Sequence, residues 1–340
     1  MKRAYSFDDV LLEPKYSDLT SRKEVDLSSE LGPGITLSLP VISSPMDTVT
    51  EADMAQTMDQ AKAMGIVHRY NTIEEQAGLV LAAKKAGTEN IGAAIGMTGD
   101  YLERAMAVCA TGANVLCVDV AHGHHIMMRQ ALHKLKDVFD ASVHIIAGNV
   151  ATLEAFEDLA KWGADSIRVG IGGGSICSTR LVTGHGVPTF QSILDISRTT
   201  SGAKIIADGG IKTTGDMVKA IAAGADFVMV GSMLAGTEET PGETLLTVKG
   251  EKYKVYRGMA SSAAQRSWRG KSSTPEGISA TVPYRGPVQD ILRDFDGGIR
   301  SGLSYTGAKT ISEFQSKAEF IHQTSAGQTE SNTHILGRFR

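Results

Sequence analysis

Residues 163–170 read GADSIRVG, and this short phrase predicts how the chain folds. The same order of residues, Gly-Ala followed by Asp or Asn and then an apolar run, recurs at 112–118 and 224–230. A glycine can end a helix, and the polar residue that follows Ala can open the next strand. The phrase therefore marks a repeated unit in which a helix leads through a short loop into a strand.

Around this repeat, eight apolar runs are rich in Val, Ile, Leu and Ala, as in strands buried on both faces. They are LSLPVISSPMD (37–47), GIVHRY (65–70), IGAAIG (91–96), NVLCVDVAHG (114–123), VHIIAGN (143–149), DSIRVGIGGG (165–174), KIIADGG (204–210) and DFVMVGS (226–232). Helix-like segments such as TLEAFEDLAKWGA lie between them. Eight such units predict an α/β fold, a (β/α)₈ TIM barrel. Periodicity alone leaves a doubly wound open sheet as the competing layout.

The rhythm of alternating strands and helices stops after the eighth run. Residues 237–290 are polar and Gly-rich, contain the hairpin-like LLTVKGEKYKVYRG, and are interpreted as a flap, because long excursions in compact domains are usually functional or mobile. Residues 322–340 form a polar C-terminal tail, either frayed or held by a neighbouring subunit. The organisation expected for 1–340 is a single barrel domain with these two additions.

Composition narrows the class of protein. The chain has 340 residues, is 42% hydrophobic and 21% charged, and carries a formal net charge of −4. This is typical of a globular protein, and without a block of Lys or Arg we expect no nucleic-acid partner. We find no signal peptide and no apolar run of the roughly 18 residues that a membrane span needs. The expectation is a cytoplasmic protein with reduced thiols.

Three cysteines therefore raise the question of reactivity. Cys117 falls inside an apolar run and Cys109 on the apolar side of a helix-like segment, which predicts inert core residues. Cys177 lies in the Gly-rich stretch after the sixth run, where backbone dipoles can stabilise a thiolate. The bland alternative is a Gly-rich turn with a buried cysteine. The loop context favours a nucleophile.

Other polar residues follow the strands, at the end of a barrel where function collects. Gly209 and Gly210 after strand seven, with Gly231 and Ser232 after strand eight, suit the phosphate site that barrels often build there. Asp208 could accept ribose hydroxyls, or could cap the next helix. Met46 could belong to the core or could cover a flat base. His68, His122 and His124 also sit at strand ends, where satisfied loop histidines are favoured over a zinc site.

The chain resembles one known family along nearly its whole length. The residues that carry this are FDDVLLEP, SSPMDTVTE, AHGH, IIAGNVAT, VGIGGGSICSTR, IIADGG, VMVGS, AGTEETPGE and YRGM, in order from residue 7 to 259, then VPYRGP and GGIRSG. Together they are similar to the IMP dehydrogenase/GMP reductase family. The resemblance implies a (β/α)₈ barrel, usually a homotetramer, that acts on a purine nucleotide with a nicotinamide cofactor.

The resemblance also implies roles for individual residues. Cys177 would attack C2 of the purine, while Thr179 and Glu276 would handle the proton on the leaving group. The positions that match nucleotide binding are Met46, Ser175, Asp208, Gly209, Gly210, Gly231, Ser232, Tyr256, Gly258 and Met259. Those that match cofactor binding are Asp119, Val120, Ala121 and Asn149. The carbonyls of Gly172, Gly174 and Cys177 resemble a monovalent-cation loop for K⁺, completed by Glu330 of a neighbour.

Two departures from the family pattern are visible, and the second alone bears on the reaction, because CBS modules are not catalytic. Dehydrogenases usually carry CBS modules after the second helix, whereas NTIEEQAGLVLAAKKAGTENIG (71–92) leaves no room for them. Dehydrogenases also resemble one another in an Arg-Tyr pair on a long flap, which activates water. Here ASSAAQRSWRGKSST (260–274) is short and lacks the pair, although Trp268-Arg269 could supply a guanidinium.

The favoured hypothesis is therefore NADPH-dependent reductive deamination of GMP to IMP and ammonia. Two features favour a dehydrogenase: SSPMDTVTE and TPEGISATVPYRGP read closer to the bacterial dehydrogenases, and Trp268-Arg269 could supply a guanidinium. The first alternative is thus NAD-dependent oxidation of IMP to XMP. The second is an inactive nucleotide-binding protein, against which Cys177, Thr179 and Glu276 all argue by their presence.

Overall fold

A computed structural model of the protein describes residues 2–270 and 274–332. Its strands are β1 (Val10–Leu12), β2 (Ser29–Gly32), β3 (Ile35–Leu37), β4 (Val41–Ser43), β5 (Met64–Val67), β6 (Ile91–Ile95), β7 (Val115–Asp119), β8 (His144–Val150), β9 (Ser166–Val169), β10 (Lys204–Asp208), β11 (Phe227–Val230), β12 (Leu245–Leu246), β13 (Lys252–Arg257), β14 (Ser279–Pro283) and β15 (Phe320–His322). Strands β4 to β11 close into a parallel barrel, with β10 hydrogen-bonded to β9. The predicted (β/α)₈ barrel is confirmed, and the open sheet is excluded because no edge remains.

The helices follow the strands as the alternation predicts. They are α1 (Ala52–Gln60), α2 (Ile73–Lys85), α3 (Tyr101–Ala110), α4 (Ile126–Phe139), α5 (Leu153–Lys161), α6 (Thr179–Thr183), α7 (Thr189–Ile196), α8 (Thr214–Ala222), α9 (Ser262–Arg269), α10 (Val288–Ser304), α11 (Ile311–Lys317) and α12 (Ser325–Glu330). Residues 86–90 alone connect α2 to β6. Among the described residues, no helix is both long and apolar enough to cross a membrane.

The repeated Gly-Ala-Asp/Asn phrase has a structural reason. Its three glycines, Gly112, Gly163 and Gly224, all adopt positive φ angles, between 108° and 116°, which end the preceding helix. The polar side chain that follows accepts an N–H from the start of the previous barrel strand. These hydrogen bonds run from Ile91 to Asn114 (3.0 Å), from Ile145 to Asp165 (2.7 Å) and from Ile205 to Asp226 (2.8 Å). Each repeat thus joins neighbouring strands at the amino-terminal end of the barrel.

The interior of the barrel differs between its two ends. At the amino-terminal end, the β2–β3 hairpin covers the opening, and Leu31, Ile35 and Leu37 join the apolar residues inside the barrel. At the carboxyl end the inward positions turn polar, with Asp119, Arg168 and Asp208. The site is therefore expected at the carboxyl end, where barrels carry function.

Two additions lie outside the barrel. In the predicted flap, β12 and β13 form the expected hairpin, and β14, which the sequence pattern did not predict, pairs with β13. At the carboxyl terminus, β15 pairs antiparallel with β1, and the Gln323 side chain donates to the Asp8 carbonyl at 2.7 Å. The start of the predicted tail is thus attached to the amino-terminal segment, and residues 333–340 lie outside the described part of the chain.

Candidate active site

A cavity of about 360 Å³ opens at the carboxyl ends of the barrel strands. Its lining includes every predicted catalytic, nucleotide and cofactor residue: Met46, Asp119, Val120, Ala121, Asn149, Ser175, Cys177, Thr179, Asp208, Gly209, Gly210, Gly231, Ser232, Tyr256, Gly258, Met259 and Glu276. Gly172 and Gly174 of the predicted cation loop line it as well. Glu330 does not, since it lies exposed at the end of α12.

The reactive groups form one hydrogen-bonded chain. The Cys177 thiol donates to Thr179 Oγ1 at 3.2 Å, and the Thr179 hydroxyl donates to Glu276 Oε2 at 2.8 Å. Backbone contacts hold the two segments together, because the N–H of Ser178 donates to the Glu276 carbonyl at 2.9 Å. A thiol is therefore linked through a hydroxyl to a carboxylate, and a proton can pass along these three groups.

Beside this chain, a buried ion network organises the polar wall of the cavity. Arg168 is 6% exposed and donates to Asp119 and, from Nε and the terminal nitrogen, to Asp208 Oδ2 at 3.2 and 2.8 Å. Asn149 donates to the same Oδ2 at 2.7 Å. Burial disfavours the charge on Arg168, but Asp208 and Asp119 outweigh it and raise the pKa of the guanidinium. These contacts fix the position of Asp208 Oδ2 at the cavity.

The competing interpretation of Asp208 as a helix cap is wrong. Helix α8 is capped by Thr213, whose side chain accepts the N–H of Asp216 at 3.2 Å.

Tyr256 lies in the part of the cavity where the sequence analysis placed the phosphate, beside Ser232. Burial raises the pKa of this phenol to about 12, against the opposing effect of its hydrogen bonds with Ser175 and Ser232. The hydroxyl also lies 4.0 Å from Met46 Sδ. At neutral pH a protonated phenol and two serine hydroxyls therefore converge here, and all three can donate to an anion.

Comparison with known proteins agrees with this geometry. The family model described as "IMP dehydrogenase / GMP reductase domain" matches residues 4–334. The chain belongs to this family. It is therefore an oxidoreductase of a family that uses a nicotinamide cofactor.

Relatives in the family carry both names. An inosine-5′-monophosphate dehydrogenase of Nitrosopumilus maritimus is 36% identical, with 98% of each chain covered. A GMP reductase of Leishmania major is 34% identical, with 98% of this chain and 97% of the relative covered. A solved GMP reductase from Trypanosoma brucei, in complex with guanosine 5′-monophosphate, superposes with a TM-score of 0.94 at 32% identity, covering 99% of each chain. Names alone do not choose between the two reactions.

The other two cysteines differ from Cys177 as expected. Cys117 is fully buried in β7, and burial raises its pKa to about 12. Cys109, half-buried on α3, has its pKa raised by burial to about 11. Cys177 is exposed at the cavity. At neutral pH Cys109 and Cys117 are held as thiols, so an electrophile should meet Cys177 first.

The strand-end histidines have partners outside the reactive chain. His68 is bonded to Glu51 and His124 to Asp158, each at 3.0 Å. Burial lowers the pKa of His122. No group of three or more His, Cys, Asp or Glu residues able to hold a metal occurs among residues 2–270 and 274–332.

Among the cavity residues that the sequence analysis missed, three bear on its chemistry: Arg168, Arg69 and Tyr70. Arg168 carried a signal, because it is a positively charged residue between Ile167 and Val169 in the predicted strand. Arg69 and Tyr70 close the run GIVHRY and also line the cavity. The Arg69 side chain donates to the Asp119 carbonyl at 3.0 Å, and its guanidinium lies over the rings of Tyr70 and Trp268, 5.1 and 5.7 Å from their centres.

Trp268 thus joins the flap helix α9 to the barrel, packing edge-on against Tyr70 at 5.0 Å between ring centres. The side chain of Arg269, which the sequence analysis suggested as a guanidinium source, lies outside the described part of the structure. Beside Tyr70 and Trp268, the guanidinium that the structure describes is that of Arg69, which belongs to the barrel.

Proposed function

We propose that the protein reduces GMP to IMP and ammonia with NADPH, through a covalent bond between Cys177 and C2 of the purine. The observation that carries this proposal is the hydrogen-bonded chain from Cys177 through Thr179 to Glu276. Deamination needs both a nucleophile for C2 and a proton for the departing amine. This one chain can supply both.

In the first half of the reaction, the thiol proton passes through the Thr179 hydroxyl to the Glu276 carboxylate. The Cys177 thiolate bonds to C2, and the C2–N bond of the amino group breaks. Glu276 returns the proton through Thr179 to the nitrogen, which leaves as ammonia. The thiol and GMP thus become a thioether and ammonia, with no net gain or loss of protons and no change in oxidation state.

In the second half, C2 would accept the hydride that NADPH supplies when it is held at the cavity by residues such as Asp119 and Asn149. The C2–S bond then breaks, the electron pair returns to sulfur, and the thiolate takes up one proton from solvent. The balance is GMP, NADPH and one proton giving IMP, NADP⁺ and ammonia. Arg69 Nε is buried 3.8 Å from Asp119 Oδ2 and forms no hydrogen bond in the described structure, so it can donate to a polar group of the cofactor. Asp119, Val120, Ala121 and Asn149 would hold the cofactor beside it.

The nucleotide would occupy the opposite wall. Ser175, Ser232 and the Tyr256 hydroxyl offer donors for the phosphate, together with the backbone at Gly209, Gly210 and Gly231. Asp208, which the ion network fixes, would accept the ribose hydroxyls. Met46, Gly258 and Met259 would pack on the base. The Asp47 N–H lies 3.4 Å from Met259 Sδ, so the segments carrying the two methionines touch.

Reduction also requires that water does not attack the thioether. Residues 260–274, between the base site and Glu276, contain no adjacent Arg and Tyr. Without a base that lowers the barrier to water attack, hydrolysis is slow and hydride transfer can compete.

A second candidate function is oxidation of IMP and water to XMP, with NAD⁺ reduced to NADH. The observation in its favour is that Arg69 and Tyr70 place an adjacent guanidinium and phenol on the cavity wall. Here the pair comes from the barrel. The Arg69 guanidinium already donates to the Asp119 backbone, which leaves it less free to activate water than a mobile residue would be.

The experiment is two parallel assays that follow the absorbance of the reduced nicotinamide. One contains GMP and NADPH, the other IMP and NAD⁺. Loss of NADPH that depends on GMP, with ammonia and IMP formed in equal amounts, supports the reductase. Formation of NADH and XMP from IMP without NADPH loss from GMP would establish the dehydrogenase instead. If neither assay shows turnover above a Cys177→Ala control, the inactive binding protein is the better description.

We further propose a homotetramer of single-domain subunits that lack CBS modules, working in a reducing compartment because all three thiols are free.

The predicted K⁺ site would take three ligands from one loop, the carbonyls of Gly172, Gly174 and Cys177. The Gly174 carbonyl already accepts the Cys177 N–H at 3.1 Å. The remaining ligand, Glu330, would come from a neighbouring copy. Light scattering, and turnover with K⁺ replaced by a tetraalkylammonium ion, test these two proposals.

A further inference from the structure

The loop that carries Cys177 and Thr179 runs from residue 170 to residue 188, between β9 and α7. It contains one short helix, α6, and otherwise irregular backbone. A nucleophile on such a segment needs support, because misplacement by about 1 Å can cost 10²-fold in rate. The support is visible in the contacts of one side chain, Arg180.

Arg180 joins the two ends of this loop. Its guanidinium donates to the Ile171 carbonyl from Nε at 3.2 Å and from a terminal nitrogen at 3.0 Å, and the same terminal nitrogen donates to the Val187 carbonyl at 2.6 Å. Ile171 and Val187 also form an isolated antiparallel backbone bridge. Within residues 2–270 and 274–332, no carboxylate forms an ion pair with Arg180. Its hydrogen-bonding capacity is directed to the loop backbone.

The loop is built around this side chain. A Cβ atom at Gly172 would lie 2.5 Å from Arg180 Cγ, and one at Gly186 would lie 2.7 Å from the same atom. Real Cβ atoms essentially never lie within 3.0 Å of a neighbouring atom, so glycine at both positions leaves the space that Arg180 fills. The two ends of the loop thus fit closely on either side of one arginine stem.

We propose that Arg180 is a positioning residue that holds the Cys177–Thr179 segment in register with Glu276. The inference rests on the proposed function, because it assumes that Cys177 reacts. Arg180 lies next to Thr179 and ties both loop ends, whereas Glu276 meets the loop from the flap through the Ser178 N–H. Loss of Arg180 should lengthen the Cys177–Thr179–Glu276 chain while leaving in place the nucleotide-binding groups outside this loop, such as Asp208 and Tyr256.

Arg180→Gln tests this, with Arg180→Lys as the conservative variant and Arg300→Gln as the matched control. Arg300 lies on α10, and its guanidinium donates both to Asp296 and to the backbone carbonyl of Val25, away from the cavity. The measurements are kcat and nucleotide KM, the rate of Cys177 alkylation by iodoacetamide followed by peptide mass, and the melting temperature. Cys109 and Cys117 are poor competitors in the alkylation, because burial raises the pKa of both thiols.

For Arg180→Gln we expect kcat to fall about 10²-fold with nucleotide KM within about threefold of wild type. The alkylation rate of Cys177 should also change by at least about fivefold. Arg180→Lys, which keeps a donor for one carbonyl, should recover about tenfold in kcat. Arg300→Gln should leave kcat and the alkylation rate unchanged, even if its melting temperature falls as much as that of Arg180→Gln.

Equal kcat and alkylation rates in Arg180→Gln and Arg300→Gln would overturn the positioning role. So would parallel losses of kcat and melting temperature in all three variants, since that is the signature of a merely structural arginine. The alkylation measurement separates this inference from the proposed function. If wild-type protein turns over neither substrate pair, the proposed function fails, whereas the effect of Arg180 on Cys177 reactivity can still be measured.

Discussion

The two ends of the barrel bury polar groups in opposite ways, although the same strands supply both. Strand β9 contributes Ser166 at the amino-terminal end and, two residues later on the same face, Arg168 at the carboxyl end. Ser166 bonds to His144 of β8 at 2.7 Å, whereas Arg168 bonds to Asp119 and Asp208. One end holds a neutral pair and the other a network of full charges.

The difference shows where the fold tolerates charge. Burial lowers the pKa of His144 to about 4, so this imidazole stays neutral. At the other end two carboxylates raise the pKa of Arg168 and keep it charged. Buried ion networks usually stabilise no better than apolar packing, so we interpret this one as serving the cavity. Gly148 makes room for it, because a Cβ atom there would lie 2.6 Å from Arg168 Cβ.

The largest expected effect concerns two cysteines, Cys117 inside the barrel and Cys177 at the cavity of the carboxyl end. Cys177→Ser should lower kcat by at least about 10³-fold, because the bond to C2 needs a strong nucleophile. Cys117→Ser, inside the barrel, should keep kcat within about threefold while lowering the stability. Steady-state turnover with each variant checks this. Comparable activity in Cys177→Ser and wild type would contradict the covalent scheme.

The next effect tests the charged end directly. Arg168→Met leaves the carboxylates of Asp119 and Asp208 without the guanidinium that bridges them and should reduce the free energy of unfolding by about 3–5 kcal/mol. Urea denaturation measures it, with Ser166→Ala of the same strand as the control for the neutral end. That control should cost about 1–3 kcal/mol, because it leaves one buried imidazole nitrogen without a partner. Equal losses at the two ends would contradict the difference in charge.

A third effect concerns chemistry alone. Glu276→Gln keeps the size of the side chain and can still accept the Thr179 hydrogen bond, but it cannot take up a proton. We expect kcat to fall about 10²- to 10³-fold with little change in the melting temperature. The kcat of Thr179→Val should fall by a similar factor, and the kcat of the double variant should be little lower than that of either single variant. Additive losses would show that the two residues do not act in one chain.

How much of the fold and of the site could be predicted from the sequence depends on how far apart the contacting residues lie along the chain. The barrel followed from local signals, because Gly112, Gly163 and Gly224 mark helix ends wherever they stand. Apart from Glu330, the residues assigned by family resemblance line one cavity, most of them because the strand ends converge there. Arg168 was missed since its partners, 49 and 40 residues away, are not encoded near it.

The additions to the barrel were harder to foresee for the same reason. Strand β14 pairs with β13 only after the flap folds back, and its residues Ser279–Pro283 are mostly exposed, so no alternation marks it. Arg180 was read as part of a motif rather than as a structural contact. Its glycine neighbours at 172 and 186 were the available signal, but their meaning depends on the three-dimensional path of the loop.

The neutral end predicts a dependence of stability on pH. His144 has a pKa of about 4 in the folded protein against an ordinary value of 6.5, since burial and Lys136 lower it more than Asp165 raises it. Between these values the unfolded chain binds a proton that the folded chain does not. Stability is therefore lost as pH falls through this window, by about 2–3 kcal/mol at roughly pH 4.5.

His144→Gln should remove this contribution, because glutamine can still bond to Ser166 but does not titrate. The measurement is the free energy of unfolding at neutral pH and at roughly pH 4.5 for both proteins. The variant should be the less stable protein at neutral pH and should lose less on acidification. An identical pH dependence in the two proteins would assign the acid loss to other groups.

The smallest effect concerns the contact that covers the charged end. Trp268 of the flap packs on Tyr70 and lies under Arg69, and such aromatic and cation–π contacts are worth about 1 kcal/mol. Trp268→Leu should therefore raise the cofactor KM roughly fivefold and leave the nucleotide KM unchanged. Trp162→Leu is the control, because Trp162 stacks on His124 outside the cavity.

The same control variant allows a direct measurement of binding. The chain has only two tryptophans, so the fluorescence emission of Trp162→Leu reports on Trp268 alone, and it should change when cofactor binds. Unchanged emission together with an unchanged cofactor KM would mean that the flap contact covers the barrel without taking part in binding.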